Sequence, residues 1–106
     1  GTFPAVAPDV YLVAVGEGTR ERAFALAEAL RDEVAGIRVE TNLGSGRFKA
    51  QMKRADKCGA RYARVLGEQE LAEERIGCKP LRSDAEQESI ALAELAAVLQ
   101  DKLNSA

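Results

Sequence analysis

The chain contains no histidine. That removes the commonest general base and the commonest metal ligand at neutral pH, so any catalysis would rest on carboxylates, lysines or cysteines. Without histidine there is also no Ser/His/Asp or Cys/His arrangement. Cysteine is scarce: Cys58 and Cys78 are widely separated, form no CxxC spacing and are too few for a zinc site. Neither has a visible partner that would activate it as a nucleophile. The plainer reading is two small buried or half-buried thiols in a reducing, cytoplasmic compartment. No apolar run reaches the roughly 20 residues that cross a bilayer, which argues against a membrane partner. Residues 1–8 lack a basic n-region and are too short for a signal peptide, so they read as a linker or remnant ahead of one domain over 9–106.

What is present suits that single domain. A length of 106 residues buries one modest core, and 46% apolar with 30% charged residues is ordinary for a globular protein. The net charge of −2 hides an asymmetry. Between positions 47 and 64 stand seven basic residues (Arg47, Lys49, Lys53, Arg54, Lys57, Arg61, Arg64) and one acid, Asp56. The flanks are acidic. Such a distribution allows one basic face to meet a polyanion while the rest keeps the molecule dissolved.

Residues 9–15 form a valine-rich apolar run suited to a strand covered on both faces. Gly16 and Gly18 punctuate it, and Thr19 is the expected N-cap of a helix over 20–34, whose inner stripe is Ala23, Leu26, Ala27, Leu30 and Val34. A second strand follows over 37–41, then a glycine-bearing turn over 42–46. A basic helix over 47–58 comes next, with Phe48, Met52 and Ala55 as its inner stripe. A third strand occupies 62–66 and a fourth 75–81. The interval between them is too short for a helical crossover, so the fourth is expected to run antiparallel. A turn over 83–86, a short fifth strand over 88–92 and a closing helix over 93–103 complete the chain. This order predicts a three-layer α/β/α domain around a five-stranded mixed sheet.

The basic helix is the sharpest candidate site. Lys49, Lys53 and Lys57 recur every four residues and share one face, with Arg47 and Arg54 nearby. The row follows a turn whose backbone N–H groups around Gly44, Ser45 and Gly46 suit phosphate oxygens. The plainer alternative is a solvated helix face. Gly44-Ser45-Gly46 completes no nucleotide-binding pattern, and Gly16-Glu17-Gly18 places an acid where a pyrophosphate would approach. Glu68, Glu70, Glu73 and Glu74 read first as a solvated turn. A carboxylate at a strand end can also accept hydrogen bonds from base amino groups. Tyr11 and Tyr62 could stack on bases, but positions within strands make them core residues by default.

At residues 48–60, Phe-Lys-Ala-Gln-Met-Lys-Arg-Ala-Asp-Lys-Cys-Gly-Ala, the chain resembles the C-terminal domain of bacterial histidyl-tRNA synthetases. Val65-Leu66-Gly67-Glu68-Gln69-Glu70-Leu71, Cys78-Lys79-Pro80-Leu81-Arg82-Ser83 and Glu86-Gln87 keep the same order and spacing. The resemblance implies a class II synthetase anticodon-binding domain, whose job is to hold the anticodon stem-loop of histidine tRNA. By that likeness, bases would be read by Asn42, Gly44, Ser45 and Gly46, by Glu70, and by Lys79. Arg47, Lys49, Lys53, Arg54 and Lys57 would contact backbone phosphates. Lys79 is a point charge where threonyl relatives carry an arginine fork. The domain itself implies no metal and no cofactor. ATP, magnesium, amino-acid activation and most of a homodimer interface belong to a catalytic domain that is absent from this chain. Two other classes are compatible with the composition: an accessory protein-interaction domain that no longer reads RNA, and a flavodoxin-like small-molecule binder, which the missing phosphate fingerprint disfavours.

Overall fold

Val10, Tyr11, Leu12 and Val13 are all buried, because the strand they form has a neighbour on each edge and a helix on each face. This is the physical reason for a near-continuous apolar run rather than an alternating one. The computed structural model describes residues 8–41, 47–81 and 86–104. In order these form β1 (Val10–Val15), α1 (Thr19–Glu33), β2 (Val39–Thr41), α2 (Phe48–Lys57), β3 (Tyr62–Gly67), α3 (Glu68–Glu73), β4 (Arg75–Pro80), β5 (Glu88–Ala91) and α4 (Leu95–Asn104). The Gly44-Ser45-Gly46 turn with Asn42, and most of the turn expected over 83–86, lie outside the described residues.

The five strands lie in the order β2-β1-β3-β4-β5. The first three are parallel, Val10 opposite Val39 and Val13 opposite Val65. As expected, β4 is antiparallel to β3, with Tyr62 opposite Pro80 and Val65 opposite Gly77, and β5 runs antiparallel to β4. The reversal is local: α3 is too short to cross the sheet, and Glu74 closes it in the left-handed region at φ 55°.

Period-two alternation divides the core between the two faces. Val10, Leu12, Ile76 and Val39 pack with Ala27, Leu30 and Val34 of the α1 region and with Leu95 and Leu99 of α4. Tyr11, Val13 and Ala63 pack with Ala55 of α2 and with Ala60. The result is the expected three-layer arrangement.

Local chemistry departs from expectation in three places. Thr19 is not the N-cap of α1: Gly18 takes that position at φ 80°, and the buried Thr19 donates its hydroxyl to the Gly16 carbonyl at 2.7 Å. Phe48 is not an inner residue of α2 but 40% exposed, because it stands in the first turn, past the end of the sheet. In its place Gln51, 2% exposed, sits against β1. The closing helix begins as a 3-10 turn over Leu92–Glu94.

The turn after β1 depends on glycine. Gly16 has φ 109°, and a Cβ there would collide with the Glu68 side chain. At the opposite end of the sheet, Asp9 accepts the Arg38 N–H at 2.9 Å and shares a shallow cavity with Ile37, Leu99 and Leu103. Asp9, just ahead of β1, and Leu103, in the last turn of α4, therefore lie side by side, where the parallel strands begin.

Candidate nucleic-acid interface

The inner side of α2 is fixed by Gln51, Ala55 and the half-buried Met52. The Gln51 amide lies against Ala14, accepting its N–H at 3.1 Å and donating to its carbonyl at 2.9 Å. Among the described residues β2 pairs with β1 only as far as Leu12, and this side chain meets the backbone of Ala14 two residues further on. With Gln51 held inward, a helical repeat of about 3.6 residues turns Lys49, Lys53 and Lys57 to the outside, and all three are exposed, as are Arg47 and Arg54. Among the described residues the ion pairs are Arg22 with Glu74 and Arg31 with Glu28, neither of which involves α2. The predicted row of lysines is thus one face, and none of the three forms an ion pair with a described acid.

Not all of the basic run joins that face. Arg64 is 1% exposed and lies in β3 on the side covered by α4, while Arg61 faces the Asp9 end of the sheet. Charge alone groups both with the basic run, but their strand positions place them elsewhere.

Helix α2 starts at the edge where β1, β2 and β3 end. Its N-cap, Arg47, makes no side-chain capping bond, and its first turn holds no acid, so a positive residue and Lys49 stand where the helix dipole is itself positive. By contrast α1 has Glu21 in its first turn and Arg31 in its last. Basic residues at a helix start are mildly unfavourable in isolation and become favourable when an anion is bound there. Beside them the exposed Phe48 and Val15 offer apolar surface at the same edge. An aromatic ring so placed can stack with an unpaired base.

The two carboxylates of the β3–α3 turn have structural partners. Glu68 accepts the Glu17 N–H at 2.9 Å, so a carboxylate already occupies the place at the first βα turn that a nucleotide phosphate would take. Glu70 accepts the Gly67 N–H at 2.9 Å, the reciprocal half of a capping box, and is half-buried at the same edge as Phe48. Replacing Glu70 by alanine should therefore cost about 1 kcal/mol of stability as well as any RNA contact. Glu70→Gln keeps the cap acceptor and loses only the charge. Thermal melts of the two variants beside RNA titrations separate these roles: equal melting losses would show that the cap is immaterial.

Lys79 stands apart from this group. It lies opposite Ala63 near the beginning of β3, whereas Glu70 follows the end of that strand. Ala63 and Gly67 are four steps apart along the strand, about 13 Å. Lys79 faces the α2 side of the sheet, on the β4–β5 portion, and is exposed. The same strip carries Arg75, two pleats away toward the Glu70 edge, its guanidinium held by Ser89 through Nε to Oγ at 3.1 Å and Nη2 to the carbonyl at 2.9 Å. Sequence reading passed over Arg75 and the exposed side of Phe48. Arg75 was within reach of it, because residues four apart in a strand share a face.

Both cysteines are free. Cys58 is exposed, not buried as expected, and Cys78 is half-buried, its thiol pushed above the ordinary range by burial. Among the described residues no cluster of acids and cysteines could hold a metal, and no helix is long and apolar enough to cross a membrane.

Residues 9–102 match the family model described as the anticodon binding domain. Among solved structures, apo histidyl-tRNA synthetase of S. aureus superposes with a TM-score of 0.79 and 31% identity over 89% of this chain and 23% of that one. Histidyl-tRNA synthetase from a Nostoc species gives 0.77 and 28% over 97% of this chain and 24% of that one. The RNA binding domain of threonyl-tRNA synthetase from Cryptosporidium parvum gives 0.79 at 17% identity, which speaks for the fold alone. The chain spans about a quarter of the length of the histidyl enzymes it matches.

Proposed function

This chain belongs to the anticodon binding domain family, and from that premise we propose that it grips the anticodon stem-loop of histidine tRNA as a domain of a histidyl-tRNA synthetase. The observation that carries the reading is the outward row Lys49, Lys53 and Lys57, free of ion pairs with described residues, on a helix that begins at the C-terminal edge of the parallel strands. These three with Arg47 and Arg54 would hold backbone phosphates, which positions the RNA without reading it. Base reading would fall to Asn42, Gly44, Ser45 and Gly46, to the second oxygen of Glu70, and to Lys79 on the open strip, with Arg75 as an added donor and Phe48 as a stacking surface.

Attachment of histidine would be the work of a cytoplasmic partner, the catalytic domain of the same synthetase, which uses ATP and magnesium and forms the homodimer. Phe24, 54% exposed on α1, lies in the layer opposite the lysines and suits contact with another protein surface such as that domain. The chain itself would be a binding module and not a ligase.

With three to five phosphate contacts, affinity for the stem-loop should fall roughly ten- to several-hundredfold between 50 and 200 mM salt. Fluorescence anisotropy with a labelled stem-loop measures this directly. Binding that ignores salt, or that never saturates, would remove the RNA assignment.

A further inference from the structure

The sheet face turned toward α4 carries a charge that neither the fold nor RNA binding uses. Tyr62, Arg64 and Leu66 alternate along β3 on that face, and Leu66 shows the apolar burial the position calls for. Arg64 is equally buried, yet its Nε and Nη2 have no hydrogen-bond partner. Its guanidinium carbon is 5.6 Å from the centre of the Tyr62 ring, and Lys102 Nζ is 4.8 Å from the same ring. An aromatic face attracts both cations but accepts neither N–H in the plane of the guanidinium. Buried cations are found with acceptors, and this one lacks its own.

The missing acceptor has room. Arg64 lines a cavity of about 350 Å³ between the β3–β5 surface and α4. Cys78 lies opposite Arg64, and Glu88 lies opposite Cys78, so the acid is two strands away from the guanidinium and forms no ion pair with it. Glu86 adds a second carboxylate on that side, and Ile90 and Val98 supply apolar wall. The cavity is thus cationic at one end, anionic at the other and greasy between.

We propose that this cavity binds a small zwitterion of the amino-acid type. The Nε–Nη2 edge of Arg64 matches a carboxylate through two parallel hydrogen bonds. The ligand's ammonium group lies toward Glu86 and Glu88, and a short aliphatic side chain meets Ile90 and Val98. Lys102, exposed at the end of α4, swings off the tyrosine ring to admit it. A phosphate is disfavoured by the same two acids. The site is on the opposite face from the lysines and is independent of the RNA reading.

The test is an amide NMR titration of this chain with L-leucine, leucinamide, N-acetylleucine and inorganic phosphate. Leucine should give saturable shifts centred on Tyr62, Cys78, Ile90 and Val98. Leucinamide, without a carboxylate, and N-acetylleucine, without an ammonium group, should each bind at least about tenfold more weakly, and phosphate should give no saturable shift. Arg64→Leu should abolish the leucine response with the remaining spectrum intact, and Arg64→Lys should weaken it should the leucine variant not fold. The proposal is overturned if leucine gives no saturable shift, if leucinamide or phosphate binds as well as leucine, or if binding survives loss of Arg64. It is also overturned if Glu88→Gln moves the Arg64 side-chain N–H resonance while leucine does nothing, since the two side chains then satisfy each other.

Discussion

Replacing Gln51 by leucine is expected to lower the stability of this domain by about 2–4 kcal/mol, despite the similar size and greater hydrophobicity of the new side chain. The part-buried Ala14 N–H and carbonyl would lose their only described partners, and backbone groups left unmet beside an apolar side chain cost more than a hydrogen bond gains. In a domain of this size the melting midpoint should drop by roughly 10–20 °C. Circular dichroism melts of the two proteins decide the matter. A leucine variant as stable as its parent would mean that β1 finds other partners near its end, and that Gln51 is not what anchors α2 to the sheet.

The second large effect concerns RNA. Lys49→Glu combined with Lys53→Glu should weaken stem-loop binding by about one to two orders of magnitude and flatten its salt dependence, because two phosphate contacts are turned into repulsions. The fold should not suffer. Both positions are exposed and have no described ion-pair partner, and an acid in the first turn of α2 suits the helix dipole better than the lysine it replaces. The melting midpoint is therefore expected to stay put or rise slightly as RNA affinity collapses. Arg20→Glu, an exposed change on α1 in the opposite layer, serves as the control and should leave affinity nearly unaltered. Loss of affinity of similar size in that control would reduce the effect to net charge and deny the lysine row any special place.

Most of the architecture was legible in the residues because it is written in periods. The apolar run of β1, the helical stripe of α1 and the short interval between β3 and β4 each follow from local chemistry, and the antiparallel turn needed only a count of residues. The lysine row was visible for the same reason. The failures have a common cause in lengths that no local pattern carries. Phe48 matches the inner stripe of α2, yet the sheet has ended before it, so it is exposed. Gln51 looks like a surface residue in the sequence, yet its amide is spent on the backbone of Ala14, beyond the last described pairing of β2. Arg64 was grouped with its basic neighbours by sequence distance, although strand alternation sends it to the other side from Ala63. The relation of Glu70 to Lys79 likewise depends on the register of β4 against β3, which spacing alone does not supply.

The neighbourhood of Asp9 and Leu103 bears on how the module can be handled. Both lie at the margin farthest from the start of α2 and the Gly67 turn, so a fluorophore or surface tether attached at either of these two positions would stand away from the edge where α2 begins. A domain immobilised there should therefore present the start of its cationic helix, with Arg47 and Lys49, to solution.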